Sequence, residues 1–431
     1  MKLIIHRGTH EIGGSCVELS SGKTRILLDF GMPLVDGDRD TRFDEKAMEG
    51  KTVKELRQAG ILPEIKGLYE GEEKGIDGIF ISHSHLDHYG FLRYINPGIP
   101  VYMSEGTKAL LEISNIFLKK QLTGLNIRVL EAWKACRAGD FKLTPYLADH
   151  SAFDAFAYLA ESKGKRVFYS GDFRGTGRKK VLFENIIKKP PKNIDCMLME
   201  GSLAAGGRHV YGEETDVEER IVKILEEASN ITFLFASGQN IDRLVSGYKA
   251  CRRAGKLFVI DLYAAMVLQE AGKISKSIPQ YDWENVRVFY FWSHAGSLAD
   301  SGMRDFLYKV RPSKIEEFEL AQKKDNILML GRDNSELRKL MKRLKPLKGA
   351  KVIYSMWEGY LEEKFKSYCK SGGISIEKVH SSGHASRNDL VKFAQALNPR
   401  ILLPIHTFEP ECFPELYDSV KMLRDGEMYE V

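Results

Sequence analysis

Residues 83–88 read His83-Ser84-His85-Leu86-Asp87-His88, four side chains of metal-ligand type within six positions. They follow the apolar, strand-like run Gly78-Ile79-Phe80-Ile81. Neutral imidazole suits zinc at about 2.0–2.1 Å and a carboxylate oxygen at about 2.0–2.2 Å. On an extended turn the side chains at i and i+2 can share one ion. A helix starting near Asp87 would swing the last two ligands toward a second. Surface polarity accounts for many pairs of neighbouring histidines, but not readily for four ligands spaced this way behind a strand.

Three residues further along stand in the same relation to a strand. His150 follows the run at 141–147, Asp172 the run at 167–169 and His406 the run at 401–405. Gly171 lets the backbone turn sharply and aim the Asp172 carboxylate inward, where it could bridge two ions. Residues just past strand ends sit on one edge of a sheet, where a rigid scaffold can converge them. His406 lies far down the chain from Asp172, and the texture between them changes. Strands at 231–235, 257–260, 286–292, 327–330 and 351–354 alternate with helical stretches such as 241–254 and 263–271. That pattern predicts a parallel sheet with crossover helices. The expected organisation is a first domain over 1–205 and 372–431, interrupted by an inserted domain over 206–371.

The chain has 431 residues, 43% hydrophobic and 29% charged, which fits a soluble protein of more than one core. No apolar stretch approaches the roughly 20 residues needed to span a bilayer. The start, Met1-Lys2-Leu3-Ile4-Ile5-His6, is too short an apolar run for a signal peptide. A cytoplasmic protein without membrane contact is expected. The six cysteines are scattered with no Cys-x-x-Cys pair, so a bound metal must take histidine and carboxylate ligands. Net charge is +5. Basic residues cluster at 338–351 and at Arg174, Arg178, Lys179 and Lys180; solvated faces are the ordinary reading, and a polyanionic substrate would make them useful. His6, His10, His209, His294 and His380 read as structural or peripheral.

With Asp29 in Leu27-Leu28-Asp29-Phe30-Gly31 as an early structural motif, the histidine run, His150 and Asp172 resemble the metallo-β-lactamase fold. Glu200 in Met199-Glu200-Gly201-Ser202, His384 in Ser382-Gly383-His384-Ala385 and His406 in Pro404-Ile405-His406 look like motifs A, B and C of the β-CASP nucleases, which include ribonuclease J. The resemblance implies an αββα sandwich of α/β class with an inserted β-CASP domain of parallel-sheet type. It implies one zinc on His83, His85 and His150, another on Asp87, His88 and His406, and Asp172 bridging. Manganese or magnesium could substitute in vitro. The implied substrate is RNA, or single-stranded nucleic acid more generally, and a homodimer is kept open as the assembly. Where ribonuclease J usually continues motif C with Gly-Glu, this chain has Thr407-Phe408-Glu409-Pro410. It ends at Val431, so the C-terminal domain common in ribonuclease J is expected to be missing.

In such a site Asp87 could accept the proton of an attacking water, and His384 could donate to phosphoryl oxygens, oriented by Glu200. Ser382 and the Gly383 amide are candidate phosphate donors, although Ser-Gly pairs are mostly turns. Ser237, before the helix at 241, could present amides to a phosphate or simply belong to a capped strand–helix turn. Tyr263 and Trp357 could stack bases, but core roles are expected for both. The rivals are a small-molecule hydrolase of lactonase or thioesterase type, a DNA nuclease, and a non-catalytic nucleic-acid-binding subunit. Glu200, His384 and the insertion count against the first, His406 against the second, and the complete ligand set against the third.

Overall fold

The computed structural model describes residues 1–36, 41–118, 122–206 and 212–431, so His209 lies outside the described residues. In chain order the strands are β1 (Lys2–Arg7), β2 (Cys16–Ser21), β3 (Thr24–Leu28), β4 (Gly78–Phe80), β5 (Pro100–Ser104), β6 (Asn126–Leu130), β7 (Cys136–Ala138), β8 (Phe141–Leu147), β9 (Phe156–Ser162) and β10 (Lys165–Tyr169). There follow β11 (Cys196–Glu200), β12 (Thr232–Phe235), β13 (Leu257–Asp261), β14 (Val286–Phe289), β15 (Ile327–Gly331), β16 (Lys351–Tyr354), β17 (Ser375–Lys378), β18 (Ile401–Ile405) and β19 (Met428–Glu430). They build three sheets, ordered β19-β1-β2-β3-β4-β5-β6, β18-β11-β10-β9-β8-β7 and β14-β13-β15-β12-β16-β17.

The first two sheets face each other across one core. Leu3, Val17, Ile26 and Phe80 from the first meet Phe141, Tyr158, Val167 and Leu198 from the second, all buried. Each large apolar side chain so buried contributes about 1.5–3 kcal/mol before the entropy of ordering it. Helical segments cover the outer faces. Leu56, Tyr89 and Leu111 pack on Leu27, Ile79 and Val101; Phe183, Leu390 and Phe393 pack on Phe168, Met197 and Leu402. The result is the expected αββα layering.

The third sheet is parallel throughout. Its central strands β12 and β15 are buried along their whole length, which is why they read as continuous apolar runs. The chain leaves the second sheet at β11 and returns at β18, and these two strands are hydrogen-bonded neighbours, with Glu200 beside Ile405. β17 pairs with β16, past the boundary drawn at 371. Its sequence, Ser375-Ile376-Glu377-Lys378, is a half-polar edge strand with no apolar run to betray it.

The run expected as a strand over 286–292 pairs only as far as Phe289, where its neighbour β13 ends at Asp261. Trp292 instead begins the helix Trp292–Asp300 and is 90% exposed. Trp357, expected in the core, lies beyond the end of β16 and is 56% exposed, edge-on to Tyr360. No helix among the described residues is long and apolar enough to cross a membrane.

Candidate metal centre

Four of the ligands follow the end of a strand: His83 follows β4, His150 β8, Asp172 β10 and His406 β18. β4 belongs to the first sheet and the other three to the second, so the ligands converge from two facing sheets rather than along one edge. Between His85 and Gly90 the chain makes a single helical turn, Leu86–Tyr89, which separates Asp87 and His88 from His83 and His85 as the spacing predicted. Gly171 (φ 53°) takes the left-handed turn before Asp172, where an added Cβ would lie 2.8 Å from the Phe156 carbonyl oxygen.

The donors fall into two groups, His83, His85 and His150, and Asp87, His88, Asp172 and His406. In the first, His83 Nε2 and His150 Nε2 lie 3.1 and 3.2 Å from His85 Nδ1. In the second, His88 Nε2 lies 3.2 Å from Asp172 Oδ2 and 3.6 Å from Asp87 Oδ2; His406 Nε2 lies 3.6 and 3.7 Å from the same two oxygens. Donors about 2.1 Å from a tetrahedral zinc stand about 3.4 Å apart, so the residues fit such an ion. His83 Nε2 lies 3.8 Å from Asp172 Oδ2, which puts that carboxylate between the groups.

The second fit test is hydrogen bonding. His88 Nε2, His406 Nε2 and Asp172 Oδ1 are buried with no hydrogen-bond partner, although buried polar atoms are ordinarily satisfied. The opposite ring atoms are occupied. His88 Nδ1 donates to Asp29 Oδ2 at 2.7 Å, and His150 Nδ1 donates to the Gly383 carbonyl at 2.5 Å. His406 Nδ1 accepts from the Gly13 amide at 3.3 Å and lies 3.0 Å from Ser15 Oγ. Asp29 (φ 59°) also accepts from the Ser82 amide, the Ser82 hydroxyl and the Tyr169 hydroxyl, at 2.6, 2.7 and 2.7 Å. It is a buried brace for the His88 ring.

Electrostatics divide the groups as well. Burial keeps His83 and His150 well below the ordinary histidine range and lowers His85 to about 4, so these imidazoles stay neutral, the form that binds metal. Around His88 burial is outweighed by Asp172, Asp87 and Asp29, which push it well up. Burial likewise opposes ionisation of Asp172 but loses to His406 and His88, and its carboxyl lies well below the usual range. The second group therefore holds a surplus of carboxylate that calls for a cation.

Glu200, at the end of β11, is buried and accepts from the Ser202 and Ala385 amides at 2.9 and 3.1 Å. His384 Nδ1 lies 3.5 Å from Glu200, 3.7 Å from Asp172 and 3.1 Å from Ser202 Oγ. Its side chain is 26% exposed where the neighbouring ligand Asp172 is 2%. Burial lowers its pKa, but Glu200 and Asp172 together carry it to about 9. The Ser382 hydroxyl accepts from the His384 amide at 3.0 Å. A Cβ on Gly383 would lie 2.7 Å from Ser151 Oγ, so the loop's close approach to His150 needs glycine there. Ser237 sits after β12, its hydroxyl accepting from the Gln239 amide at 3.3 Å, and no described contact joins it to the metal ligands.

Sequence reasoning missed Ser82, Tyr169 and Ser15, whose roles arise only when distant segments meet. It misread Arg174, whose basic neighbourhood looked like surface. Arg174 is fully buried against Asp149 and Asp242, Arg178 binds Glu218, and Lys180 binds Glu213. In the second basic cluster Arg338 and Arg343 pair with Asp333 and Glu317.

Known proteins match this chain in two segments. A beta-lactamase superfamily domain matches residues 52–210, and a Zn-dependent metallo-hydrolase RNA specificity domain matches 374–412. The chain is 25% identical over 393 residues to ribonuclease J of Sinorhizobium meliloti, covering 85% of this chain and 65% of that one. It is 23% identical over 422 residues to ribonuclease J of Mycoplasma genitalium, covering 94% and 67%. It thus spans about two thirds of the length of these relatives. A crystal structure of a protein of unknown function from Enterococcus faecalis V583 shares the fold, with a TM-score of 0.79 at 22% identity over 99% of each chain. Sandwich and matching domains agree: the chain has the metallo-β-lactamase fold, carries a beta-lactamase superfamily domain, and is similar to ribonuclease J.

Proposed function

We propose that this chain is a two-zinc, cytoplasmic ribonuclease that hydrolyses phosphodiester bonds in single-stranded RNA, and that residues from 206 to about 378 form its inserted β-CASP domain. The observation that carries the reading is the Glu200–His384 pair set against the buried His/Asp cluster. A protonated imidazole beside the cluster can meet the charge that develops on phosphoryl oxygens as a phosphodiester is cleaved. The names of the matching RNA specificity domain and of the ribonuclease J relatives point the same way.

In this reading His83, His85 and His150 would hold one ion and Asp87, His88 and His406 the other, with Asp172 placed between the groups. Ions held there would supply Lewis acidity and make a nearby water more acidic. Asp87, the less buried of the two carboxylates, takes the proton of the attacking water. His384 donates to the phosphoryl oxygens from the open side of the cluster, and Glu200 holds the ring oriented and charged. Ser382 and the Gly383 amide border the same position and can bind a non-bridging oxygen. Ser237 would act further along the strand of RNA.

The test is to incubate zinc- or manganese-loaded protein with 5′-monophosphorylated, 5′-triphosphorylated and circular RNA and with matched single-stranded DNA, beside an Asp87→Ala/His88→Ala control. RNA products that the control lacks are expected. Equal product from the control would sink the mechanism, and cleavage of DNA alone would overturn the substrate.

A further inference from the structure

Arg174 ends the sequence Asp172-Phe173-Arg174 and is buried along its whole length. Its Nη1 donates to the Ser382 carbonyl at 2.9 Å and its Nη2 to Asp242 Oδ2 at 2.5 Å. Nε faces Asp149 Oδ1 at 3.6 Å, and the Arg174 amide donates to the Asp149 carbonyl at 2.7 Å. Each partner borders something with a role. Asp149 precedes His150, and Ser382 opens the loop that carries His384. Asp242 stands in the first turn of the helix Ile241–Arg253, which packs on the third sheet. His150 Nδ1 donates to the next carbonyl of that loop, Gly383. Two successive carbonyls are therefore held from beneath, one by Arg174 and one by a metal ligand.

We propose that Arg174 is a positioning residue: it fixes the 382–384 loop so that His384 stays beside Asp172, and through Asp242 it makes that placement depend on how the inserted helix is seated. The catalytic consequence rests on the nucleolytic reading above; the placement rests on the contacts alone. A guanidinium suits the task because its planar fork reaches the carbonyl, Asp242 and Asp149 in fixed directions, whereas an ammonium is one compact charge. The same network continues to Arg243, also buried, which donates to Glu214 at 2.7 Å and to the Ser355 carbonyl at 3.0 Å. Ser381 donates to Glu214 at 2.8 Å, so the residue before Ser382 is tied to the inserted unit too.

The experiment is Arg174→Lys in two backgrounds, wild type and His384→Ala, with kcat and KM measured on RNA. In the wild-type background kcat is expected to fall about 10- to 100-fold, the cost of a catalytic group displaced by about 1 Å, with KM within about threefold. In the His384→Ala background the same substitution should cost nothing further, because Arg174 acts through His384. An equal fold-loss in both backgrounds, or an unchanged kcat, overturns the proposal. Asp242→Asn is the second variant, with a smaller loss and the same pattern. A substrate-free arm follows ring signals in protein carrying 13C-labelled histidine. Arg174→Lys should shift the His384 signal, assigned by its disappearance in His384→Ala, and leave His6 and His294 in place. An unmoved His384 signal overturns the proposal whatever the substrate. A shifted signal in a protein that does not cut RNA would sustain the placement while the ribonuclease reading fails.

Discussion

Two buried assemblies of charged side chains lie side by side in this molecule, and they are finished differently. In the network at the inserted unit the donors and acceptors use each other up. The Glu214 oxygens accept from Arg243, Ser246 and Ser381, and the one pair left without a hydrogen bond, Arg174 Nε and Asp149 Oδ1, faces itself at 3.6 Å. In the His/Asp cluster the ring atoms turned outward are bonded, while His88 Nε2, His406 Nε2 and Asp172 Oδ1 converge with nothing to bond. A buried polar atom left unpaired costs about 1–3 kcal/mol. A closed assembly is architecture. An open one of three such atoms is kept in a fold only if something enters it, and its donors select a divalent cation.

The largest expected effect would test that distinction directly. Asp87→Ala/His88→Ala should lower RNA cleavage about 10⁴-fold or more, equivalent to about 5.5 kcal/mol, while costing the metal-free protein little stability. Steady-state cleavage and urea denaturation after chelation measure the two sides. If the metal-free variant lost several kcal/mol, the open cluster would be structural after all. Next comes Arg243→Met, which leaves Glu214 buried without its guanidinium and should destabilise the chain by about 3–5 kcal/mol in the same assay. A loss below about 1 kcal/mol would mean that the closed network does not hold the units together. His384→Ala should then reduce kcat about 10²- to 10³-fold, and Glu200→Gln about 10- to 100-fold, with metal content unchanged in both. Loss of metal from either variant would move the pair from the chemistry into the ligand set.

The same contrast explains what could be read from the sequence. His83, His150, Asp172 and His406 each follow an apolar strand, so local pattern drew attention to them and to the parallel sheet between Glu200 and His384. Arg174, Asp149, Asp242 and Glu214 come from separate segments, and each looks like an ordinary surface charge until the chain brings them together. Their basic and acidic neighbours pointed outward to solvent or substrate when they in fact point at one another. The short edge strands β7, β17 and β19 gave no signal for a related reason. Their residues are half-polar, and their pairing is decided by a partner strand rather than by their own composition.

Glu11 offers the smallest test, because it is a partly buried carboxylate paired with Arg7. Its carboxylate lies 3.2 Å from Arg7 Nε, but the other Arg7 nitrogens are spent on the carbonyls of Gly60 and Ile61. Burial raises the Glu11 carboxyl, Arg7 pulls it back, Asp425 adds to the rise, and the balance stands at about 7. A carboxyl raised above its unfolded value of 4.5 is protonated in the folded chain after it has ionised in the unfolded one. Between pH 4.5 and 7 the native state therefore binds the extra proton, and stability falls as pH rises through that window. Glu11→Gln removes the titration and should flatten that slope, with a gain of about 1 kcal/mol at pH 7.5 after allowance for partial exposure. Urea denaturation of both proteins at pH 5 and 7.5 decides it. A variant that tracks the wild type at both values would mean that Arg7 satisfies Glu11 after all, and that burial costs this carboxylate nothing.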